Sequence, residues 1–199
     1  DMKYGDALWY AASCYENAGM FAEAIDRFAS FKRGRKADPR HLAATLRLAN
    51  AYHAEGQFNV AIDLYRTLIQ DNPKTRYAYQ SYVPLALCHL AKDEGDVETA
   101  ERYLLKVVSD HPALRPESSE YREALIELAN LYYQRGGSQD MENAIVRYEQ
   151  AIERYPDDPR IYLMHYRLSD AYRQSARSLR EQANAAVSPA QQSQYFTEA

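Results

Sequence analysis

The chain has 199 residues, with 24 Lys or Arg against 28 Asp or Glu, a net charge of −4 and a pI near 5.8. That balance argues against a nucleic-acid surface, which usually shows a basic face. No run approaches the roughly 20 apolar residues needed to cross a bilayer, and no signal peptide is visible. The most apolar stretch, 82–91, is short and contains His89.

Helical periodicity runs throughout, without the strict alternation of a strand. In chain order it predicts antiparallel helix pairs over 5–18 and 21–35, 39–55 and 58–71, 75–92 and 96–110, and 116–135 and 139–155. A long helix over 159–187 follows, and Ser188-Pro189-Ala190-Gln191 has the spacing of a cap that opens one more. Asp38-Pro39 and Asp158-Pro159 read as N-cap and first-turn pairs, because the carboxylate accepts orphan amides and proline has none to waste. Pro84 removes a backbone bond and is expected to kink or delay its helix.

One phrase recurs through these pairs. A small residue and an aromatic or His stand three apart at Ala12/Tyr15, Ala49/Tyr52, Ala86/His89, Ala129/Tyr132 and Ser169/Tyr172. A turn containing Gly19, Gly56, Gly95 or Gly136 follows in each of the first four copies. Then come Ala24-x-x-x-Phe28, Ala61-x-x-x-Tyr65, Ala100-x-x-x-Leu104 and Ala144-x-x-x-Tyr148, and a closing Pro39, Pro73, Pro112 or Pro156. Such a period marks stacked supersecondary units, each too small to bury its own apolar face.

At these residues the chain resembles the tetratricopeptide repeat family over nearly its whole length. The resemblance implies an all-α fold, a right-handed superhelical solenoid of antiparallel helix pairs, with motif residues that pack and a role in binding other proteins. The family's usual Trp is replaced by Leu8, Thr45, Tyr82, Leu125 and His165, and His89 and Leu104 make the third copy the least regular. Tyr15, Tyr52, Tyr132 and Tyr172 are expected in the core, where Ala or Ser allows close approach and Tyr fills the remaining space. The small residues are spaced 37, 37, 43 and 40 apart, so some first helices and turns are lengthened. That lengthening also resembles the repeats of bacterial envelope proteins such as BamD and Tol–Pal-associated proteins, and tilts the expected location toward the envelope. The copies span about 5–38, 39–73, 74–112, 113–156 and, in part, 157–199, as one array that reads as a segment of a longer protein. Open array ends, with Trp9 at one and Tyr195-Phe196 at the other, invite self-association.

Signatures of catalysis are missing. His41, His53, His89, His111 and His165 are scattered, without metal spacing, and no Walker A, GxGxxG or GxSxG phrase occurs. The acidic set Asp93, Glu94, Asp96 and Glu98 lacks the alternation of a calcium loop. No cofactor is expected. The basic run 32–36 reads as cations at a helix C-terminus, where they complement its dipole. Cys14 and Cys88 occupy equivalent places two repeats apart, roughly 20 Å, too far for a disulfide, and both read as packing thiols.

The flank of each first helix that the motif leaves free provides the candidate site, because residues at i, i+4 and i+7 share a face. Across the copies it forms three rows: Trp9, Leu46, Val83, Ile126 and Tyr166; Ser13, Asn50, Leu87, Asn130 and Asp170; Glu16, His53, Leu90, Tyr133 and Arg173. In the resembled family this flank lines a concave groove that takes a peptide or a partner helix. The apolar row alternatively packs between neighbouring helices. Asn50 and Asn130 match the asparagine of the family's carboxylate clamp, but no cation stands four residues to either side. An extended segment or amphipathic helix is therefore the expected ligand, held by a non-catalytic scaffold. The rival readings are an accessory repeat region of a larger enzyme or envelope assembly complex and, with the acidity against it, an RNA-binding helical-repeat module.

Overall fold

The computed structural model describes residues 2–92, 95–111 and 113–185. The cap at 188–191, Tyr195-Phe196, Asp93, Glu94 and Pro112 lie outside them. The chain divides into two compact units, Asp1–Leu114 and Arg115–Ala199. Both are helical, and among the described residues there is no strand.

In the first unit, α1 (Met2–Asn17) packs on α2 (Phe21–Gly34), α2 on α3 (His41–Ala54), and α3 on α4 (Phe58–Asp71). After the short α5 (Arg76–Tyr79), α4 packs on α6 (Tyr82–Ala91) and α6 on α7 (Val97–Leu105), which ends in a π turn over Lys106–Asp110. The turns inside the first two pairs share one device. Gly19 and Gly56 each have φ +72°, in the left-handed region where a Cβ is strained. The Met20 amide donates to the Tyr15 carbonyl at 2.9 Å and Gln57 to Tyr52 at 2.8 Å, closing a Schellman motif that satisfies the last carbonyls of the helix.

The motif alanines are where the pairs touch. Ala12, Ala24, Ala49, Ala61, Ala86 and Ala100 are all fully buried. Phe28, Tyr65 and Leu104 fill the space that they leave. Pro84 has the expected effect in a sharper form. The helix expected over 75–92 is two helices, with a break at residues 80 and 81. Starting again at Tyr82 places Pro84 in a first turn, where an amide has no intrahelical partner.

The first-helix aromatic is less uniform than expected. Tyr15 and Tyr52 are only half-buried, whereas His89 is buried, with 8% exposed. Its Nδ1 lies 3.3 Å from Asp96 Oδ2, an ion-pair contact when the ring is protonated, and among the described residues neither ring nitrogen makes a well-aligned hydrogen bond. Burial lowers its pKa, partly opposed by the Asp96 charge. The folded chain thus binds this proton less readily than the unfolded chain, whose histidine titrates near ~6.5. Stability contributed here is present above that value and is lost as pH falls through it toward the folded value. Burial also holds His53 and His111 down, so His89→Tyr, which restores the motif residue, is expected to reduce the loss of Tm between about pH 7.5 and 5 without abolishing it. An unchanged slope would assign the acid sensitivity elsewhere.

The two cysteines differ. Cys88 is buried beside Leu46, Ala49 and Tyr65, and burial pushes its thiol up to about 12. Cys14 is exposed, against the packing role expected of it. Its equivalents Ala51 and Cys88 pack into the clusters formed with the preceding hairpin. On α1, the first described helix, that side meets solvent.

In the second unit, α8 (Ser119–Arg135) packs on α9 (Ser138–Arg154), and α9 on α10 (Ile161–Ala185). Ser118 caps α8 by accepting the Tyr121 amide at 3.2 Å. Gly136, φ +73°, ends it in the left-handed conformation, with its amide donating to the Tyr132 carbonyl. Ala129, Ala144 and Tyr148 are fully buried. Tyr172, expected in the core, is 48% exposed, and its hydroxyl donates to Glu149. Ser169, Tyr172 and His165 lie on the side of α10 that in other copies is covered by a second helix, and no such helix follows among the described residues.

The Asp-Pro pairs act one step differently from simple caps. Helices α3 and α10 begin two residues beyond Pro39 and Pro159. The carboxylates nevertheless accept an amide, Arg40 on Asp38 at 2.8 Å and Arg160 on Asp158 at 2.9 Å.

Candidate protein-binding face

In the first unit the predicted flank is built around Trp9. The Arg47 guanidinium lies 5.0 Å from the Trp9 ring and 4.8 Å from Phe28, and Arg40 lies 5.6 Å from Trp9 and 5.2 Å from Phe31. Two cations thus stack on one aromatic cluster, whose ring faces attract them electrostatically. Each is also paired. Arg47 donates to Glu16 at 2.6 Å and to Ser13 Oγ at 2.7 Å, while Ser13 donates to the Trp9 carbonyl. Arg40 bridges Asp38 and Asp6, the latter at 2.8 Å. Its hydrogen bonds hold the Asp38 carboxyl down at about 2. Trp9, Ser13 and Glu16 are therefore brought together, tied to α3 by arginines that the three rows do not include. Both guanidinia follow residues that the sequence singles out, Arg40 after Asp38-Pro39 and Arg47 after Leu46, so the signal was present one position away.

Asn50 is exposed, and its Oδ1 accepts the hydroxyl of fully buried Tyr65 at 2.7 Å. That bond fixes the side-chain orientation and leaves the amide NH2 facing outward as a donor. His53 stands edge-on to Phe58 at 5.8 Å, and Leu87 and Leu90 are half-buried. Leu46 and Val83, at 9% and 8% exposure, are buried between helices and offer little surface to a ligand.

In the second unit Ile126 is likewise buried, at 1% exposure. For Leu46, Val83 and Ile126, then, packing is the outcome, with Leu46 in the cluster that contains Ile62, Tyr65 and Leu85. Asn130 repeats the arrangement of Asn50: Tyr148 donates to its Oδ1 at 2.8 Å, and Arg167 donates to the same oxygen. Tyr133 donates to Asp170 at 2.7 Å, and Asp170 also accepts from Arg173 and Gln174. These bonds, Arg173's first, hold the Asp170 carboxyl at about 2. Beside this network Tyr166 is 67% and Leu163 46% exposed. Arg167, 5.8 Å above the Tyr133 ring, was missed in the same way as Arg47, one residue after its row.

Asn130 Nδ2 also donates to Glu127 at 3.2 Å, so the clearest outward groups are the Asn50 amide in the first unit and the exposed Tyr166 ring in the second. Such groups can meet a polypeptide backbone and an apolar side chain. No cluster of three His, Cys, Asp or Glu residues that could hold a metal occurs among the described residues. Nor, among those residues, is any helix long and apolar enough to cross a membrane.

Two family profiles, each described as Tetratricopeptide repeat, match residues 18–81 and 123–158. The chain belongs to the tetratricopeptide repeat family, whose repeats generally mediate protein–protein interaction. No curated protein matches it. Among solved structures, it is similar to the nearly identical TPR-like repeats assigned to a kinesin light chain of Podosopora anserina, and to a single-substitution variant of those repeats. Each is 23% identical with a TM-score of 0.66, covering 86% of this chain and 87% and 86% of the respective repeat chains. A tetratricopeptide repeat protein from Parabacteroides merdae has the same TM-score at 19% identity, covering 90% of this chain and 65% of its own. Identities this low establish the fold alone: an all-α, TPR-like solenoid of antiparallel helix pairs.

Proposed function

We propose that this chain is a non-catalytic scaffold that docks an extended segment or amphipathic helix of another protein on the free flank of its first helices. The observation that carries the reading is the fixed orientation of Asn50 and Asn130. Each has its carbonyl oxygen occupied by a buried tyrosine hydroxyl, so Asn50 is a preorganised donor for a ligand backbone, and Asn130, whose Nδ2 also donates to Glu127 at 3.2 Å, keeps one N–H for the same use. In the second unit the exposed Tyr166 and Leu163 supply an apolar contact, and aromatic anchors of this kind dominate binding energy in many interfaces. Trp9 has a different role from the one its place in the row suggested. Stacked under two arginines, it holds the face together.

Site-specific photo-crosslinking tests the assignment. A crosslinker placed at Asn50 or Tyr166 is expected to capture a protein partner from cell extract, and one at Val60 or Val146, exposed on second helices, is not. With the captured partner, Tyr166→Ala is expected to cost about 1–3 kcal/mol of binding. Capture only from Val60 and Val146 would place the binding surface on the opposite helices and overturn the proposal.

A further inference from the structure

Helix α10 packs on α9 and buries Met164 and Ala171. On another side it carries Tyr162, His165, Ser169, Tyr172, Ala176 and Leu179, which follow one another at alternating spacings of three and four residues. That alternation is the spacing of a coiled-coil seam. Tyr162 is 85% and Tyr172 48% exposed, His165 and Ser169 are exposed, and Ala176 and Leu179 are half-buried. The open line ends before Ala183, which is fully buried.

The two hydroxyls at the centre of this line are already satisfied inside the chain. Ser169 Oγ donates to the His165 carbonyl at 2.9 Å, and the Tyr172 hydroxyl donates to Glu149 of α9. Covering them costs little, because burying a polar group is expensive only where it lacks a hydrogen bond. The order of sizes also selects the occupant. Turned end for end, the line meets itself with a larger group opposite a smaller one in every layer: Tyr162 on Leu179, His165 on Ala176 and Ser169 on Tyr172. In the parallel sense it would set ring against ring at Tyr162 and Tyr172 and leave gaps at Ser169 and Ala176, against the close packing of protein interiors. Arg173, at the edge of the line near its centre, is paired with Asp170 of its own helix, which screens it from its counterpart.

We infer that this line is the interface of a homodimer, in which a second copy of the chain lays its α10 antiparallel on the first about a two-fold axis midway between Ser169 and Tyr172. Such an isologous contact uses one patch twice and closes on itself, so it yields dimers and not filaments. A single seam between two helices is a small interface, of the weak and concentration-dependent class. Tyr162, His165, Ser169 and Tyr172 do not belong to the protein-binding face, so either assignment stands without the other.

Sedimentation of the full chain over about 1–300 µM, a range in which a weak dimer forms by mass action, is expected to show a reversible doubling of mass. Ser169→Tyr sets ring against ring in the central layers and is expected to weaken the dimer at least tenfold. Ser169→Tyr combined with Tyr172→Ser exchanges the two sizes and is expected to restore most of that loss. Both positions are exposed, and an unchanged Tm shows that the fold is kept. A photo-crosslinker in place of Tyr162, in a mixture of isotope-labelled and unlabelled chains, reads the register independently. It is expected to join hybrid pairs through the peptide that contains Leu179. A chain that stays monomeric across the range leaves the line to a different protein, and crosslinks confined to residues 186–199 of the same chain give it to that segment. Either result overturns the proposal, as does a double variant no tighter than Ser169→Tyr.

Discussion

Replacing Arg160 by alanine is expected to destabilise the second unit by about 3 kcal/mol, because it strands a buried carboxylate. The Asp158 side chain is only 1% exposed. Arg160 supplies its bonds: the backbone amide at 2.9 Å, Nε at 2.9 Å and Nη2 at 3.1 Å. The same guanidinium ties Glu123 on α8 at 2.8 and 2.9 Å, so one side chain joins the start of α10 to its neighbouring first helix. Without it, Asp158 keeps one backbone amide and Arg122, whose Nε lies 3.6 Å away. Asp158→Ala with Arg160→Ala should cost less than the sum of the two single changes, since the pair acts as a unit.

The pH dependence has a definite sign. Hydrogen bonding from Arg160 lowers the Asp158 pKa, so its contribution is present above the unfolded value of ~3.9 and is lost as pH falls through the folded value. The gap between wild type and Arg160→Ala should therefore close in acid. The related Arg40→Ala should cost less, because the Asp38 and Asp6 side chains are 14% and 43% exposed and water replaces part of what is lost. Urea denaturation at about pH 7 and pH 3 measures all of these. A difference below about 0.5 kcal/mol for Arg160→Ala at neutral pH, the range of ordinary surface substitutions, would show that the pair is solvated.

The second large effect is expected at the helix crossings. Ala61→Leu and Ala144→Leu should each destabilise by about 1–3 kcal/mol through overpacking. Both alanines are fully buried, beside Tyr65 and Tyr148 one helical turn on. A leucine there must displace either a fully buried tyrosine or the facing first helix. Val60→Leu and Val146→Leu, which change the exposed neighbours at 42% and 48% exposure, provide the control and should stay within about 0.5 kcal/mol. Equal denaturation midpoints for the alanine variants and the controls would show that the repeat register is displaced.

The register was legible because it is written in sterics. A helix crossing that excludes everything larger than alanine must show alanine each time it recurs, and a turn at φ +72° or +73° favours glycine at Gly19, Gly56 and Gly136. Pro84 was readable as a break for the same kind of local reason, although the restart at Tyr82 depended on the short α5 that Thr75 caps from its own side chain. Cys14 and Tyr172 were misplaced because equivalence of sequence position does not carry equivalence of neighbours. Each lies on a helix whose covering partner is absent from the described residues.

The candidate face was half legible. Periodicity put Asn50, Asn130, Tyr133, Tyr166 and Asp170 on the same flank of their helices, and the resemblance together with the missing catalytic motifs favoured a binding face over an active site. It was unable to separate Tyr166, which is exposed, from Ile126, which is buried in the same row, because helical phase specifies a direction and not the distance to the next helix. It also passed over Arg40, Arg47, Arg160 and Arg167. A long, flexible side chain reaches partners 31 to 37 residues away, and which carboxylate or ring it meets is decided only when neighbouring hairpins stack. Sequence by itself therefore determined the repeat, its turns and its all-α class, since those follow from backbone geometry and close approach within one hairpin. The tertiary structure decided which residues of the flank are spent on packing and which are bound to arginines, since those outcomes depend on side chains contributed by a different repeat.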